Sequence, residues 1–285
     1  MFKKSIFLLI TITTGFTLAA ETSVWKVDTG SSTLYLGGTF HLLRKSDFPL
    51  PQEFNTAYDD SAALVFETDI GRMNDPAIQQ LMTTKGLLKD KSLRDVLSPE
   101  THNDLEKLCN SVGVPIDNLQ GFKPSIVLLT IAMIELQKLG ITEEGVDMHY
   151  YLKAKADGKS TAELEAIEEQ IEFITSMGEG NEDAFVKHSI KEMETTEDLL
   201  PNLIHIWKTG DRSRLKRELI DPMEKDFPEL YKTLIGDRNR NWMPQIVRLL
   251  KTTETEFVLV GAAHLVGPDG ILTTLEKLGY RIEKL

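Results

Sequence analysis

Two stretches at opposite ends of this 285-residue chain share one form, an apolar run followed by Gly-x-x-His. The first is Leu34-Tyr35-Leu36-Gly37-Gly38-Thr39-Phe40-His41 and the second is Phe257-Val258-Leu259-Val260-Gly261-Ala262-Ala263-His264. A short apolar run reads as a buried strand, and a glycine at its end lets the backbone turn sharply and deliver a histidine just beyond it. In a parallel sheet the carboxyl ends of the strands share one edge, where α/β proteins build their sites. The two imidazoles are therefore expected to meet in one crevice. Glu67 ends a third apolar run, Ala62-Ala63-Leu64-Val65-Phe66-Glu67. His41, His264 and Glu67 make a standard donor set for Zn, Mn, Co or Fe, with positions left for water and substrate. A bound divalent ion would acidify that water and polarise a carbonyl, the opening of metal-assisted hydrolysis.

Each of these residues also has a plainer reading. Both histidines could be hydrogen-bonded residues of tight turns, and Glu67 a solvated strand end. A buried, unpaired carboxylate is costly, so if Glu67 is buried it needs a metal, an arginine or a general-base role. Glu165 follows the short run Ser160 to Leu164 and could either point into the same cleft or cap the next helix. In Asp237-Arg238-Asn239-Arg240-Asn241-Trp242, Arg238 and Asn239 are the candidate substrate contacts. Arg238 could hold a substrate carboxylate or Glu67 itself, and a charge cluster at a helix start is the alternative. Cys109, the single cysteine, sits in a helical context and reads as buried filler. His102, His149, His188 and His205 fall on mostly polar helical stretches and read as solvated. The sequence contains no His-Glu-x-x-His, no Gly-x-Ser-x-Gly and no Gly-x-x-x-x-Gly-Lys.

The elements that must position these residues follow from local pattern. Residues 24–28 and 33–37 read as a hairpin joined by Thr29-Gly30-Ser31-Ser32. A helix from near Pro51 leads to the strand ending at Glu67, which makes a strand, helix, parallel strand unit. Residues 72–252 are mostly helical in pattern, with helices over 123–139, 143–157, 166–177, 182–208, 211–220 and 223–251 and a short strand near 160–164. Ser98-Pro99-Glu100 opens another helix, with Ser98 as cap and Pro99 in the first turn. The chain then returns to strand 256–260, helix 268–278 and strand 280–285. The expected fold is α/β (α+β): a split mixed sheet from the two ends of one domain, residues 21–285, with a long helical insertion covering its carboxyl edge. Such a cap makes a closed cleft suited to a small ligand or a peptide.

Met1-Phe2-Lys3-Lys4 and the uncharged run Ser5 to Ala20 read as a secretory signal peptide, residues 1–20, too short for a membrane span. An exported protein, periplasmic or secreted, is expected, although an uncleaved anchor is the alternative. Removal of Lys3 and Lys4 with that segment takes the net charge from −12 to −14. Charge of that sign argues against nucleic acid and anionic membrane surfaces as partners. The remaining length is enough to bury a substantial core without a disulfide.

Taken in order, Gly38-Thr39-Phe40-His41, Glu67, Lys123-Pro124, Gly145-Val146-Asp147, Leu164-Glu165 with Gln170, Arg238-Asn239, Gly261-Ala262-Ala263-His264-Leu265-Val266-Gly267 and Leu278-Gly279-Tyr280-Arg281-Ile282 resemble the TraB/GumN (TraB/PrgY/GumN) family over nearly the whole chain. That family is similar to the Tiki proteins, metalloproteases that trim the amino terminus of Wnt ligands and prefer Mn or Co. The resemblance implies a fold shared with erythromycin-esterase-like and haem-binding ChaN-like proteins. It also implies His41, Glu67 and His264 as the metal or catalytic set, with Arg238 assisting. Fold likeness alone does not fix the reaction.

The function expected from these residues is metal-dependent hydrolysis of a peptide or amide bond. His41 and His264 would bind the ion, with Glu67 as third ligand or general base and Glu165 beside it. Arg238 would stabilise the oxyanion or anchor a substrate carboxylate. The alternative is a non-catalytic protein holding haem or another small ligand in the same cleft, with Met133, Met148, Tyr150 and Tyr151 lining it. A third reading is metal-independent esterase chemistry with histidine as the base, which would survive chelation.

Overall fold

The three apolar runs that precede His41, Glu67 and His264 become the centre of one sheet. A computed structural model describes residues 22–142 and 144–285; the expected signal peptide over 1–20 lies outside them. The strands in chain order are β1 (Val24–Asp28), β2 (Thr33–Thr39), β3 (Leu43–Arg44), β4 (Ala63–Phe66), β5 (Ile141–Thr142), β6 (Ser160–Glu163), β7 (Glu256–Gly261) and β8 (Arg281–Lys284). Six of them form a mixed sheet in the order β6-β4-β7-β2-β1-β8. β6, β4, β7 and β2 run parallel, and β1 is antiparallel to both β2 and β8.

Sequence explains the order. β7 is buried along all six of its residues, as a central parallel strand covered on both faces must be. β6 (STAE) and β8 (RIEK) are polar and mostly exposed, which suits the two edges. Register levels the carboxyl ends: Thr39 lies opposite Gly261, and Phe66 opposite Leu259. His41, Glu67 and His264 therefore leave the sheet at the same edge.

A second, two-stranded ladder sets the far wall of that edge. β3 pairs with β5, Leu43 against Thr142 and Arg44 against Ile141. It holds the loop after His41 beside the start of the helix Val146–Asp157, where the Val146 N–H donates to the Phe40 carbonyl at 3.0 Å. Gly145 is required there, since a Cβ on it would lie 2.0 Å from the His41 carbonyl oxygen.

The segment between β4 and β7 is largely helical, with helices Pro99–Ser111, Pro124–Lys138, Val146–Asp157, Ile167–Ser176 and Glu182–Thr209 close to the expected positions. Two regions differ from expectation. The single helix expected over 223–251 breaks at Phe227, because Pro228 cannot supply the N–H that would continue the preceding turn. The chain resumes as a helical turn over Pro228–Tyr231 and passes through a wide, π-helical stretch over Lys232–Asp237 into the helix Arg238–Leu249. Secondly, His102 is not solvated: it is buried and its Nε2 pairs with the Gln120 side-chain amide at 2.9 Å. Cys109 is buried, as read.

There are two principal cores. One packs both faces of the sheet and includes Phe54, Tyr150, Trp207, Trp242 and Phe257. The other is built only from helices and includes Leu93, Leu105, Cys109, Val127, Ile131 and Val186. The 28-residue helix Glu182–Thr209 joins them, with Val186 in the second core and Trp207 in the first. Trp207 Nε1 donates to the Gly38 carbonyl at 2.6 Å, so this long helix grips β2 at the first Gly-x-x-His. No helix of the described residues is long and apolar enough to cross a membrane.

Candidate active site at the carboxyl edge of the sheet

His41, Glu67, His264, Arg238 and Glu165 converge at the carboxyl edge. His41 leaves β2, Glu67 leaves β4, and His264 sits in the short helix Ala262–Leu265 after β7. Backbone pairing of β4 and β6 continues past their ends, with the Glu165 N–H donating to the Glu67 carbonyl at 2.9 Å. Arg238 opens its helix directly after the π-helical stretch, and Arg238, Asn239, Trp242 and Ile246 form that helix's buried face. Wide helical turns of this kind are often found at functional sites.

Glu67 is buried and fully engaged. Its Oε1 accepts from the Gly261 N–H at 2.6 Å, and its Oε2 accepts from Arg238 Nη2 at 2.7 Å and Gln170 Nε2 at 3.4 Å. Burial alone would raise its pKa, but His264, His41, the Arg238 guanidinium and the Gly261 N–H outweigh burial and hold it down to about 2.

Arg238 spends all five of its N–H donors inside the protein. Nε and Nη2 donate to Glu165, Nη2 also to Glu67, and Nη1 to the Leu234 carbonyl and to His264 Nε2 at 3.0 Å. Trp242 stacks on the guanidinium, with Cζ 4.6 Å from the ring centroid, and its Nε1 donates to Glu165 at 3.0 Å. Glu165 is raised in pKa by burial, against the pull of Arg238.

The tautomer of His264 follows from Asn239. Asn239 Nδ2 donates to the carbonyls of His264 and Asp269, both at 2.9 Å, so Oδ1 is the atom 2.7 Å from His264 Nδ1 and must accept from it. Nδ1 carries the proton, leaving Nε2 bare to accept from Arg238. Burial drives His264 down to about 3, against the attraction of Glu67, and the ring is neutral.

His41 is the exception in this group. Its side chain is 60% accessible, whereas those of Glu67, Arg238 and His264 are 5–6% accessible. Its Nδ1 donates to Asp147 Oδ2 at 2.8 Å, and its Nε2 faces Glu67 Oε1 at 3.9 Å. Asp147, helped by Glu67 and against desolvation, raises it to about 9.

The sequence-derived candidates thus gather in one place, but three of them are differently employed. Arg238 has no free donor for an oxyanion or a substrate carboxylate, and Asn239 spends its amide on His264 and Asp269 rather than on a substrate. Glu165 points at Arg238, not at the exposed imidazole. Asp147 is the residue that site reasoning passed over. It lies in the Gly145-Val146-Asp147 motif, and its signal was a carboxylate at a helix start that has to sit against the His41 turn. Tyr150, a candidate ligand-pocket residue, is fully buried and packs against Phe54 and Tyr58 in the main core, with its hydroxyl donating to Asn55 Oδ1 at 3.1 Å.

An ion held by His41, Glu67 and His264 would need three free donors. Both imidazoles are oriented from behind with Nε2 inward, as ligand histidines are. Above Gly261 there is a space where a Cβ would lie 3.2 Å from both Glu67 Oε1 and His41 Nε2. The third donor is not free, because His264 Nε2 is taken by Arg238 Nη1. Among the described residues no group of three or more His, Cys, Asp or Glu stands ready to hold a metal ion. As arranged, the set does not fit a three-ligand ion.

Comparison with known proteins is consistent with this layout. The chain is 25% identical to metalloprotease TIKI2 of Xenopus tropicalis over an alignment 305 positions long, covering 87% of this chain and 57% of that protein. It is 20% identical over 272 residues to an uncharacterized protein of Treponema pallidum (strain Nichols), covering 90% of this chain and 81% of that one. No solved structure matches. The sequence profile of the TraB/PrgY/gumN family matches residues 23–284, which span every strand and both Gly-x-x-His segments, and the chain belongs to that family.

Proposed function

We propose that this protein is a hydrolase of peptide or amide bonds, with His41 as the group that handles the proton. The observation that carries the reading is the contrast within the site. One imidazole, backed by Asp147 at 2.8 Å, is exposed to solvent at the edge of an otherwise buried network of fixed charge. Similarity to a relative named as a metalloprotease supports hydrolysis as the reaction class.

In this reading the neutral His41 Nε2 takes a proton from water as the water oxygen bonds to the substrate carbonyl carbon. Asp147 fixes the ring with Nδ1 protonated, and the ionised Glu67 at 3.9 Å stabilises the imidazolium that forms. The same proton then passes to the departing nitrogen as the C–N bond breaks, so one water yields an acid and an amine. Arg238 acts as a positioning residue: its guanidinium fixes Glu67, Glu165 and His264 and keeps Glu67 ionised.

The test is cleavage of a mixed peptide library followed by mass spectrometry, with and without chelator. His41→Ala should slow cleavage roughly 10²–10⁴-fold, the ordinary contribution of a positioned acid–base group. Undiminished cleavage by His41→Ala would refute the assignment. The reading also has the chain exported and trimmed after Ala20. Amino-terminal sequencing of protein from the exported fraction should begin at Glu21; a start at Met1 would remove that part of it.

A further inference from the structure

We infer that Arg238 and a divalent cation compete for His264, so that this site binds a metal ion more tightly when Arg238 is removed. The inference concerns metal binding alone and does not depend on the reaction proposed above.

Three observations support it. First, the Asn239 amide fixes the His264 tautomer, because both Nδ2 donors are committed to backbone carbonyls. His264 therefore has one lone pair to offer, on Nε2, and it accepts from Arg238 Nη1 at 3.0 Å. Secondly, Arg238 is held from every side: Glu165 binds Nε and Nη2, Glu67 binds Nη2, the Leu234 carbonyl accepts from Nη1, and Trp242 covers one face. A guanidinium so anchored does not swing aside at low cost. Thirdly, it is a permanent positive charge against two of the three donors an ion would use, and like charges at such separations repel. What remains for an ion is a two-donor site, His41 Nε2 and Glu67 Oε1, beside the space above Gly261.

The opposite assignment is that Arg238 supports metal binding by orienting Glu67. The two differ in sign. If Arg238 orients a ligand, removing it weakens binding. If it occupies a ligand, removing it frees the third donor and strengthens binding.

The experiment is titration of the full chain with Mn, Co and Zn by calorimetry, beside Arg238→Ala and the double variant Arg238→Ala, His264→Ala. Arg238→Ala should bind at least tenfold tighter than the wild type, and the added His264→Ala should abolish the gain. Equal or weaker binding by a folded Arg238→Ala would overturn the inference.

Because Arg238→Ala leaves Glu67 and Glu165 without their cation and can fail to fold, a second measurement uses the wild type alone. In nitrogen-15 histidine spectra titrated with Zn, His41 Nε2 should respond while His264 Nε2 keeps its arginine-bonded shift. Both nitrogens moving together at one ion per chain would overturn the inference without any variant. Neither readout involves turnover, so failure of the hydrolase reading would leave both results interpretable.

Discussion

The two principal cores of this protein bury different chemistry. The sheet core carries Glu67, Asp147, Glu165, Arg238 and Glu256 as buried ionisable residues, most of them at or near the carboxyl edge. The helical core has aliphatic side chains and Cys109 at its centre, and among the described residues the helices that build it bury no carboxylate or guanidinium. Its nearby buried polar groups are modest: Thr101 against Ser98 at 2.9 Å, and His102 against Gln120. Burying ions costs far more than burying methyl groups and is repaid only where geometry pairs them. The sheet edge therefore carries a structural cost that the helical core does not, which is what a site built for reaction rather than for stability would show.

The largest effect should come from breaking the charge network. Arg238→Met leaves two buried carboxylates without a cation, and the expected loss is about 3–5 kcal/mol. Leu105→Ala, in the helical core, should cost about 2–5 kcal/mol through lost contact and a cavity. Size alone does not separate the two, but rescue does. Adding Glu165→Gln to Arg238→Met should recover part of the loss, while no polar substitution should recover Leu105→Ala. Urea unfolding of these three variants beside the wild type tests this, and a nearly neutral Arg238→Met would show that the network contributes nothing to stability.

A smaller effect sharpens the same comparison through pH. Glu67 titrates near 2 in the folded protein and near 4.5 as a free carboxyl, so its folded pKa is depressed. Its stabilising contribution is full above the unfolded value and is lost as pH falls from about 5 toward about 2. Glu165 is raised by burial and works in the opposite direction, partly offsetting that loss. Thermal midpoints over this range should fall less steeply in Glu67→Gln than in the wild type. Leu105→Ala should keep the wild-type slope at lower stability. An unchanged slope in Glu67→Gln would mean that acid sensitivity arises elsewhere.

Sequence disclosed the frame of the site better than the state of its members. The runs of β2, β4 and β7 were legible because strands buried on both faces are continuously apolar, and glycines marked where β2 and β7 end. Convergence of His41, Glu67 and His264 then follows from parallel topology. The break at Phe227 was legible too, in Pro228, but the long apolar periodicity of 223–251 masked it. What could not be read was how the polar atoms are shared out. That Arg238 uses all five donors inside, or that Asn239 faces His264 rather than a substrate, depends on groups many positions apart in sequence. Asp147 was hidden for a different reason: an acid in the first turn of a helix is ordinary there, and only the close approach of Gly145 to His41 gives it a second role.

Asp147 also offers the most selective change, because it touches the one exposed member of the site. Asp147→Asn keeps a side-chain oxygen that can accept from His41 Nδ1 but removes the charge that raises the imidazole. His41 as a base must be neutral, so cleavage by the wild type should increase with pH through an apparent value of about 9. In Asp147→Asn that limb should move down toward the ordinary 6.5, with more of the base form available near neutrality and less driving force for each proton taken. Folding should change little. A raised imidazole pKa stabilises the fold fully below its unfolded value and loses that contribution as pH climbs through about 9, and exposure to solvent screens the Asp147 charge. A pH profile that stays in place in Asp147→Asn, with cleavage still dependent on His41, would mean that some other group titrates, and the contrast between the exposed imidazole and its buried neighbours would lose its catalytic meaning.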